Sequence, residues 1–263
     1  MEGKTLNFQK YQGTGNDFIL VDDRAMQFDY SQALIAQLCD RRFGIGSDGL
    51  LLLRNKTGVD FEMLFFNPDG SRATFCGNGA RCIVAFAASL GIGDSEFTFQ
   101  AADGLHKALL TRISGSESIV RVSMIDPLIY SHSDDFTFLN SGTYHYVTFV
   151  PDPDVVDIMT DAPKIRYRRQ FEPAGTNVNY AAIQDDGIYV RTYEKGVEAE
   201  TLSCGTGVTA TAIAASLHTG RTDQRIRTKG GILRVTFKNE ACSFTDVRLE
   251  GPAVKVFEGK INL

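Results

Sequence analysis

The chain has 263 residues, a formal net charge of −5, 43% hydrophobic residues, five Cys and no Trp. The acidic balance, with Lys and Arg scattered, argues against a nucleic-acid partner, and no apolar run reaches the length of a membrane span. Four dispersed His (106, 132, 145, 218) and the spacing of Cys76 and Cys82 give no metal-ligand pattern, so no metal is expected.

In chain order, "MEGKTLNFQKYQGTGNDF" has no apolar core followed by a small-residue cleavage site. With an odd number of Cys, reduced thiols and a cytoplasmic location are expected. "GTGND" (13–17) lacks the second glycine spacing and the following helix of a nucleotide loop. "DFILVD", "FEMLFF", "SIVRVSM", "YHYVTFV", "GIYVRTY" and "LRVTF" read as strands. "SQALIAQLCDRRFG" (31–44) predicts an amphipathic helix with Ser31 as N-cap, Gly44 as stop and Cys39 facing inward. "KIRYRR" (164–169) reads as a solvated strand or loop face.

Three blocks recur in one order. "GTGNDFILVDD" (13–23) resembles "GTNVNYAAIQDD" (175–186), and "CGNGARCIVAFAASLG" (76–91) resembles "CGTGVTATAIAASLHTG" (204–220). "FQAADGLHKALL" (99–110) resembles "IRTKGGILRVTF" (226–237). Cys76 to Gly104 is 28 residues and Cys204 to Gly231 is 27. Two copies of one unit follow, divided between Pro127 and Asp135. The helices after Cys76 and Cys204 are nearly free of charge, which marks them as buried. The expected fold is α+β, built as a sheet curled around a central helix, twice over.

Each cysteine stands just before a helix start. First-turn N–H groups have no intrahelical partner, and the dipole adds positive charge there. Such an entrance binds carboxylates and favours thiolate over thiol. Two copies could grip one carboxylate with a sulfur on either side of the adjacent carbon, the layout for removing a proton from one face and returning one to the other. Cys82 is expected to be buried in its helix; Cys242 has no visible role. Asn16 and Asn177, matched across the repeat, suit either side-chain amides aimed at a substrate or left-handed turn positions.

The run Asn67-x-Asp69-Gly70-Ser71, four residues, then Cys76-Gly77-Asn78-Gly79-x-Arg81 resembles the signature of the diaminopimelate epimerase family. "GVEAETLSCGTG" resembles that family's second site, and the likeness runs from "FQKYQGTGNDF" to "GPAVKVFEG". The resemblance implies a cofactor-independent isomerase of lysine and cell-wall biosynthesis that interconverts LL- and meso-diaminopimelate, and a homodimer. It implies two pseudo-symmetric domains, each a mostly antiparallel or mixed barrel-like sheet around a central helix. These are 1–128 with the returning strand 252–263, and 129–251, the active site lying between them. Cys76 and Cys204 become the acid/base pair, with His145 and Glu194 setting their protonation. Asn16, Asn67, Asn177, Glu194 and Lys195 become substrate contacts, and Gly77, Asn78, Gly205 and Thr206 present N–H groups to the reacting carboxylate. Lys195 stands where many relatives carry Arg, Thr143 where they carry Asn, and Gly49 where they carry Gln.

Two sulfurs each about 3–3.5 Å from one α-carbon imply about 6–7 Å between them, with closure over the substrate. An oxidised, inactive Cys76–Cys204 disulfide is a further expectation. The rivals are a proline or hydroxyproline racemase, whose first site resembles "CGH", a single-cysteine hydrolase or peroxidase, and a non-catalytic amino-acid-binding protein.

Overall fold

The computed structural model describes residues 5–240 and 243–263, so Cys242 lies outside the described residues. The chain forms two compact units, one of residues up to Val122 with Gly251–Leu263, the other of Ser123–Glu250.

The first unit runs β1 (Thr5–Gly13), β2 (Asn16–Asp22), α1 (Gln32–Cys39), β3 (Gly49–Arg54), β4 (Phe61–Phe66) and β5 (Arg72–Ala73). It continues with α2 (Gly77–Ser89), β6 (Glu96–Ala101), β7 (Gly104–Ser114) and β8 (Glu117–Ser123). The order β1–β2–β3–β4–β6–β7–β8 has two parallel steps, β2–β3 and β4–β6. The last strand of the chain closes it, pairing with β1 and with β8. A closed ring leaves no sheet edge unpaired.

α2 fills that ring, packing on β1 to β4 and β7. Every α2 residue from Gly77 to Ala87 is buried. Ile83, Val84 and Phe86 alone contribute about 1.5–3 kcal/mol each by leaving water. β3, "GLLLLR", is apolar on both faces because both are covered. Leu50 and Leu52 meet Ile35, Leu38 and Cys39 of α1, while Leu51 faces α2 near Gly79.

α1 has Ser31 as its N-cap and Cys39 inward, but it ends at Cys39 and not at Gly44. Asp40 stops it: its carboxylate accepts from the Arg42 and Phe43 N–H groups, which folds the next residues into a turn.

The second unit repeats the plan with β9 (Leu128–His132), β10 (Thr137–Asn140), β11 (Tyr144–Phe149), α3 (Ile158–Arg166), β12 (Asn177–Gln184) and β13 (Gly187–Glu194). Then come β14 (Ala199–Thr201), α4 (Gly205–Thr219), β15 (Asp223–Thr228), β16 (Gly231–Glu240) and β17 (Ser243–Asn262), which passes into the first unit from Gly251 on. The parallel steps are now β11–β12 and β13–β15. α4 packs on β10 to β13, β15 and β16. Its Thr209 and Thr211 hydroxyls donate to the Gly205 and Gly207 carbonyls, which lets polar side chains sit in a buried helix. Ile158, Ala162 and Ile165 of α3 pack on Tyr146, Val178, Tyr180 and Tyr193 of β11 to β13, as α1 packs on β3 in the first unit. "KIRYRR" is thus the end of a helix and the turn after it, with Lys164, Arg168 and Arg169 exposed.

The α+β architecture of two sheets around central helices is the one expected. The helix blocks and the β6–β7 and β15–β16 hairpins occupy equivalent places. The first block does not: β2 is followed by its parallel partner, whereas β12 is itself the second member of the parallel pair β11–β12. By position β2 matches β11. No helix among the described residues is long and apolar enough to cross a membrane.

Candidate active site

The first unit carries its cysteine at the entrance of α2. Cys76 has extended backbone and is the N-cap, its sulfur accepting from the Gly79 N–H at 3.5 Å. The Asn16 amide reaches it from a tight hairpin, backed by the Asn78 amide from the first turn of α2. Thr14 and Gly15 form the β1–β2 turn with φ of 52° and 85°, so Gly13 faces Asn16 across a two-residue loop. Positive φ is strained for a β-branched residue. Thr14 is fastened there by its bond to the Gly13 carbonyl and by Arg81 Nη2 on its hydroxyl at 3.3 Å.

The orientation of both amides is fixed by partners that have only one role. Arg81 can only donate, so the Asn78 oxygen faces its Nη2 at 3.0 Å and the Asn78 nitrogen donates to Asn16 Oδ1 at 3.2 Å. The Asp48 carboxylate accepts the Asn16 nitrogen at 2.8 Å. Asn16 Oδ1 therefore faces the sulfur, and the Cys76 S–H donates to it at 3.6 Å. Asp48 is held by Arg41, which also grips Asp17 with two bonds; Lys10 pairs with Asp17 at 2.8 Å. Burial pushes the Asp17 carboxyl up, but Arg41 and Lys10 outweigh it and hold the group at about 2.

Arg81 is fully buried. Beyond Asn78 and Thr14 it donates to the carbonyls of Gly77 and Pro252. Desolvation brings its pKa down to about 10, which leaves it a cation at neutral pH. Cys82, one residue on, is fully buried and its thiol is pushed far up by desolvation. It is inert at neutral pH.

The second unit places Cys204 at the entrance of α4, also in extended backbone, with its sulfur 3.4 Å from the Thr206 hydroxyl. That hydroxyl is 2.9 Å from His145 Nε2. His145 is fully buried on β11, and desolvation drives its pKa down to about 3, so it is neutral. Its other nitrogen, Nδ1, lies 3.1 Å from the Asn179 amide nitrogen. The same nitrogen donates to the Tyr146 carbonyl at 3.0 Å, and the Thr192 hydroxyl donates to the Asn179 oxygen. A carbonyl can only accept, so Asn179 presents N–H to Nδ1 and the proton of His145 is on Nε2.

Asn16 opens β2 and Asn177 opens β12; neither takes the left-handed turn conformation. Asn177 bridges two backbone groups, donating to the Tyr144 carbonyl and accepting from the Lys195 N–H. Glu194 accepts from the Thr201 hydroxyl at 2.9 Å. The Lys195 ammonium donates to the Ala174 carbonyl at 3.1 Å, and its pKa is lowered by desolvation and then by the Arg166 cation. Asn67 sits in the turn after β4, its amide on the Ser71 hydroxyl. A Cβ at Gly49 would lie 2.7 Å from the Phe66 carbonyl oxygen, so no side chain fits there with this backbone. Gly77 and Asn78, and Gly205 and Thr206, are first-turn residues of the two central helices, where N–H groups are left over for an anion.

The structure thus joins Cys76, Asn78 and Asn16 in one unit, and Cys204, Thr206 and His145 in the other. Sequence reasoning missed Asp48, Asn179 and Thr192. The pattern "NVN" was a usable signal, because residues two apart on a strand share a face.

A sequence model described as diaminopimelate epimerase matches the chain twice, over residues 8–127 and 137–256. A diaminopimelate epimerase of Flavobacterium psychrophilum is 45% identical over 261 residues, covering 97% of this chain and 100% of that one. That of Methanocella arvoryzae is 37% identical over 278 residues, covering 98% and 97%. Among solved structures, a Bacillus anthracis phenazine biosynthesis protein of the PhzF family superposes with a TM-score of 0.78 at 14% identity, covering 99% of this chain and 100% of that one. A hydroxyproline epimerase from Agrobacterium vitis gives 0.72 at 14% identity, covering 100% and 93%. At those identities the likeness is one of fold.

Proposed function

The chain belongs to the diaminopimelate epimerase family and is an isomerase, and from that premise we propose that it interconverts LL- and meso-2,6-diaminopimelate with Cys76 and Cys204 as its two bases. The observation that carries this reading is the matched placement of each cysteine as N-cap of a buried helix.

An amino acid α-proton is a very weak acid, so negative charge building on the carboxylate must be stabilised. First-turn N–H groups at Gly77, Asn78, Gly205 and Thr206 are preorganised donors for that charge. One thiolate removes the α-proton; the other thiol delivers a proton to the opposite face. No cofactor enters this scheme. Asn16, Asn67, Asn177, Glu194 and Lys195 serve as contacts to the rest of the substrate. Lys195 is a point charge where an Arg would offer a two-pronged grip, so carboxylate recognition there has a looser geometry. A place in lysine and peptidoglycan precursor synthesis, a cytoplasmic location and a homodimer belong to the same proposal.

The test is incubation with LL-diaminopimelate in deuterated water. Solvent deuterium at the inverted α-carbon, with activity lost in Cys76→Ala and in Cys204→Ala, is the expected result. Inversion without solvent label, or dependence on a single cysteine, overturns the reading.

A further inference from the structure

The loop from β13 to β14 begins with Glu194 and Lys195, and it is held by more groups than a surface turn needs. The Glu198 N–H closes it by donating to the Glu194 carbonyl at 2.8 Å. Gly196 stands at φ 91° and Glu198 at φ 55°, a left-handed conformation that is strained for a glutamate. Such strain persists only where neighbours over-determine it. Here four donors do so. One Glu198 oxygen accepts from the Gly196 N–H and from Arg166 Nη2, both at 3.0 Å. The other accepts from the Tyr167 hydroxyl at 2.7 Å and the Tyr193 hydroxyl at 3.5 Å. Burial pushes the Glu198 carboxyl up, but its donors outweigh that and hold it at about 2, so it is an anion at neutral pH.

Two of those donors come from the end of α3, where Arg166 is the last residue and Tyr167 the C-cap. The Arg166 side chain is only 14% exposed, and its Nε is buried without a hydrogen bond. A buried donor left bare costs stability, so the placement of this guanidinium calls for a reason. It lies against Gly175, where a Cβ would come 1.8 Å from Arg166 Nη1. Gly175 leads through Thr176 into Asn177, the start of β12. Arg166 thus touches both segments that carry proposed substrate contacts, one with Asn177 and one with Lys195. The two are also joined directly, since the Asn177 oxygen accepts from the Lys195 N–H at 2.8 Å.

We propose that Arg166 and Glu198 form a clamp that aims Lys195 at its substrate carboxylate, and that both are positioning residues for substrate recognition. The reason lies in the choice of cation. An Arg meets a carboxylate with a planar fork that fixes its own approach, whereas an ammonium on a four-carbon stem has no such guide. Its aim must come from the backbone that bears it, and Glu198 fastens that backbone. The charges agree with this. Glu198 neutralises Arg166, which keeps the guanidinium from competing for the substrate. The Lys195 ammonium rests on the Ala174 carbonyl, a neutral acceptor that a carboxylate outcompetes.

The proposal rests on the epimerase reading, and the test separates the two. With LL-diaminopimelate as substrate, Arg166→Met and Glu198→Gln should each raise KM about tenfold and leave kcat nearly unchanged. Tyr167→Phe should act in the same direction to a smaller degree. Adding Lys195→Arg to either of the first two should bring KM most of the way back, because the fork restores the aim that the clamp supplied. A clamp with a structural role alone would not respond to that second change. Without substrate, amide hydrogen exchange at Gly196 and Glu198 should be slow in the unaltered protein and faster in Arg166→Met. An unchanged KM, a loss carried by kcat, or a double variant no better than the single one overturns the proposal, as does unchanged exchange at those amides. If the unaltered protein leaves LL-diaminopimelate untouched, the functional reading falls, and hydrogen exchange still decides whether the clamp exists.

Discussion

The entrances of α2 and α4 share the pattern Cys-Gly-x-Gly, yet the two are built from different parts. The α2 entrance is organised by a buried cation: Arg81 fixes Asn78, Asn78 fixes Asn16, and Asn16 ends on Asp48. At the place of Arg81, five residues after the cysteine, α4 has Thr209, bonded within its own helix. Its entrance is organised by neutral groups, Asn179, His145 and Thr206. The glycines differ too. A Cβ at Gly79 would find ordinary contacts at 3.4 Å and beyond, whereas one at Gly207 would strike Asn179. One repeated motif fixes where a sulfur goes; the parts that surround it differ between the halves.

The largest expected effect tests whether both halves work. Cys76→Ala and Cys204→Ala should each lower kcat/KM by about 10³-fold, measured by release of α-label to solvent. A loss confined to one variant breaks the symmetry between the halves. Next comes Arg81→Met, which strips donors from the Gly77 and Pro252 carbonyls and from Asn78. It should lower stability by about 3 kcal/mol in urea denaturation, against about 1 kcal/mol for Thr209→Val. Gly207→Ala should cost about 2 kcal/mol through overpacking, and Gly79→Ala no more than about 0.5 kcal/mol.

At neutral pH the smallest effects are those on acid sensitivity, which develop only as pH falls. Burial lowers the folded pKa of His145 to about 3, so below about 6.5 the unfolded chain takes up the proton first. Stability contributed there is full above that pH and falls as pH drops, by up to about 1.4 kcal/mol per pH unit. His145→Gln should flatten that slope. Asp17 behaves in the same sense lower down: its contribution is full above about 3.9 and lost as pH falls through about 2. With solvent screening its size is on the order of 1–2 kcal/mol. Asp17→Asn, followed by acid titration of circular dichroism, checks it.

Much of this organisation was legible in the sequence, because a charge-poor run after Cys-Gly-x-Gly can only be a buried helix with a capped entrance. The paired hairpins were legible for a similar reason, since their turns fall at near-equal distances from each cysteine. Three things were not. "GTGNDFILVDD" and "GTNVNYAAIQDD" look alike because any strand leaving a tight turn and ending in acidic residues has that composition; pairing partners, not composition, set β2 beside β11 in the plan. Helix α1 stopped early because a side-chain carboxylate at Asp40 competes with the helix, and periodicity does not register such competition. Helix α3 carries Pro163 within it, a residue that normally argues for a break. At the site, hydrogen-bond direction was the hidden quantity. Asn179 and Asp48 matter for which way they face, and no motif encodes that.

β17 is 20 residues long, and residues 254–262 pair with β1 at the far end of the sequence, Thr5 opposite Asn262. During synthesis, the first unit's barrel must wait for this stave while the ribosome makes everything between. The nascent chain thus carries β1 with its outer edge bare through most of translation. Residues 123–250, by contrast, are contiguous and can finish folding first.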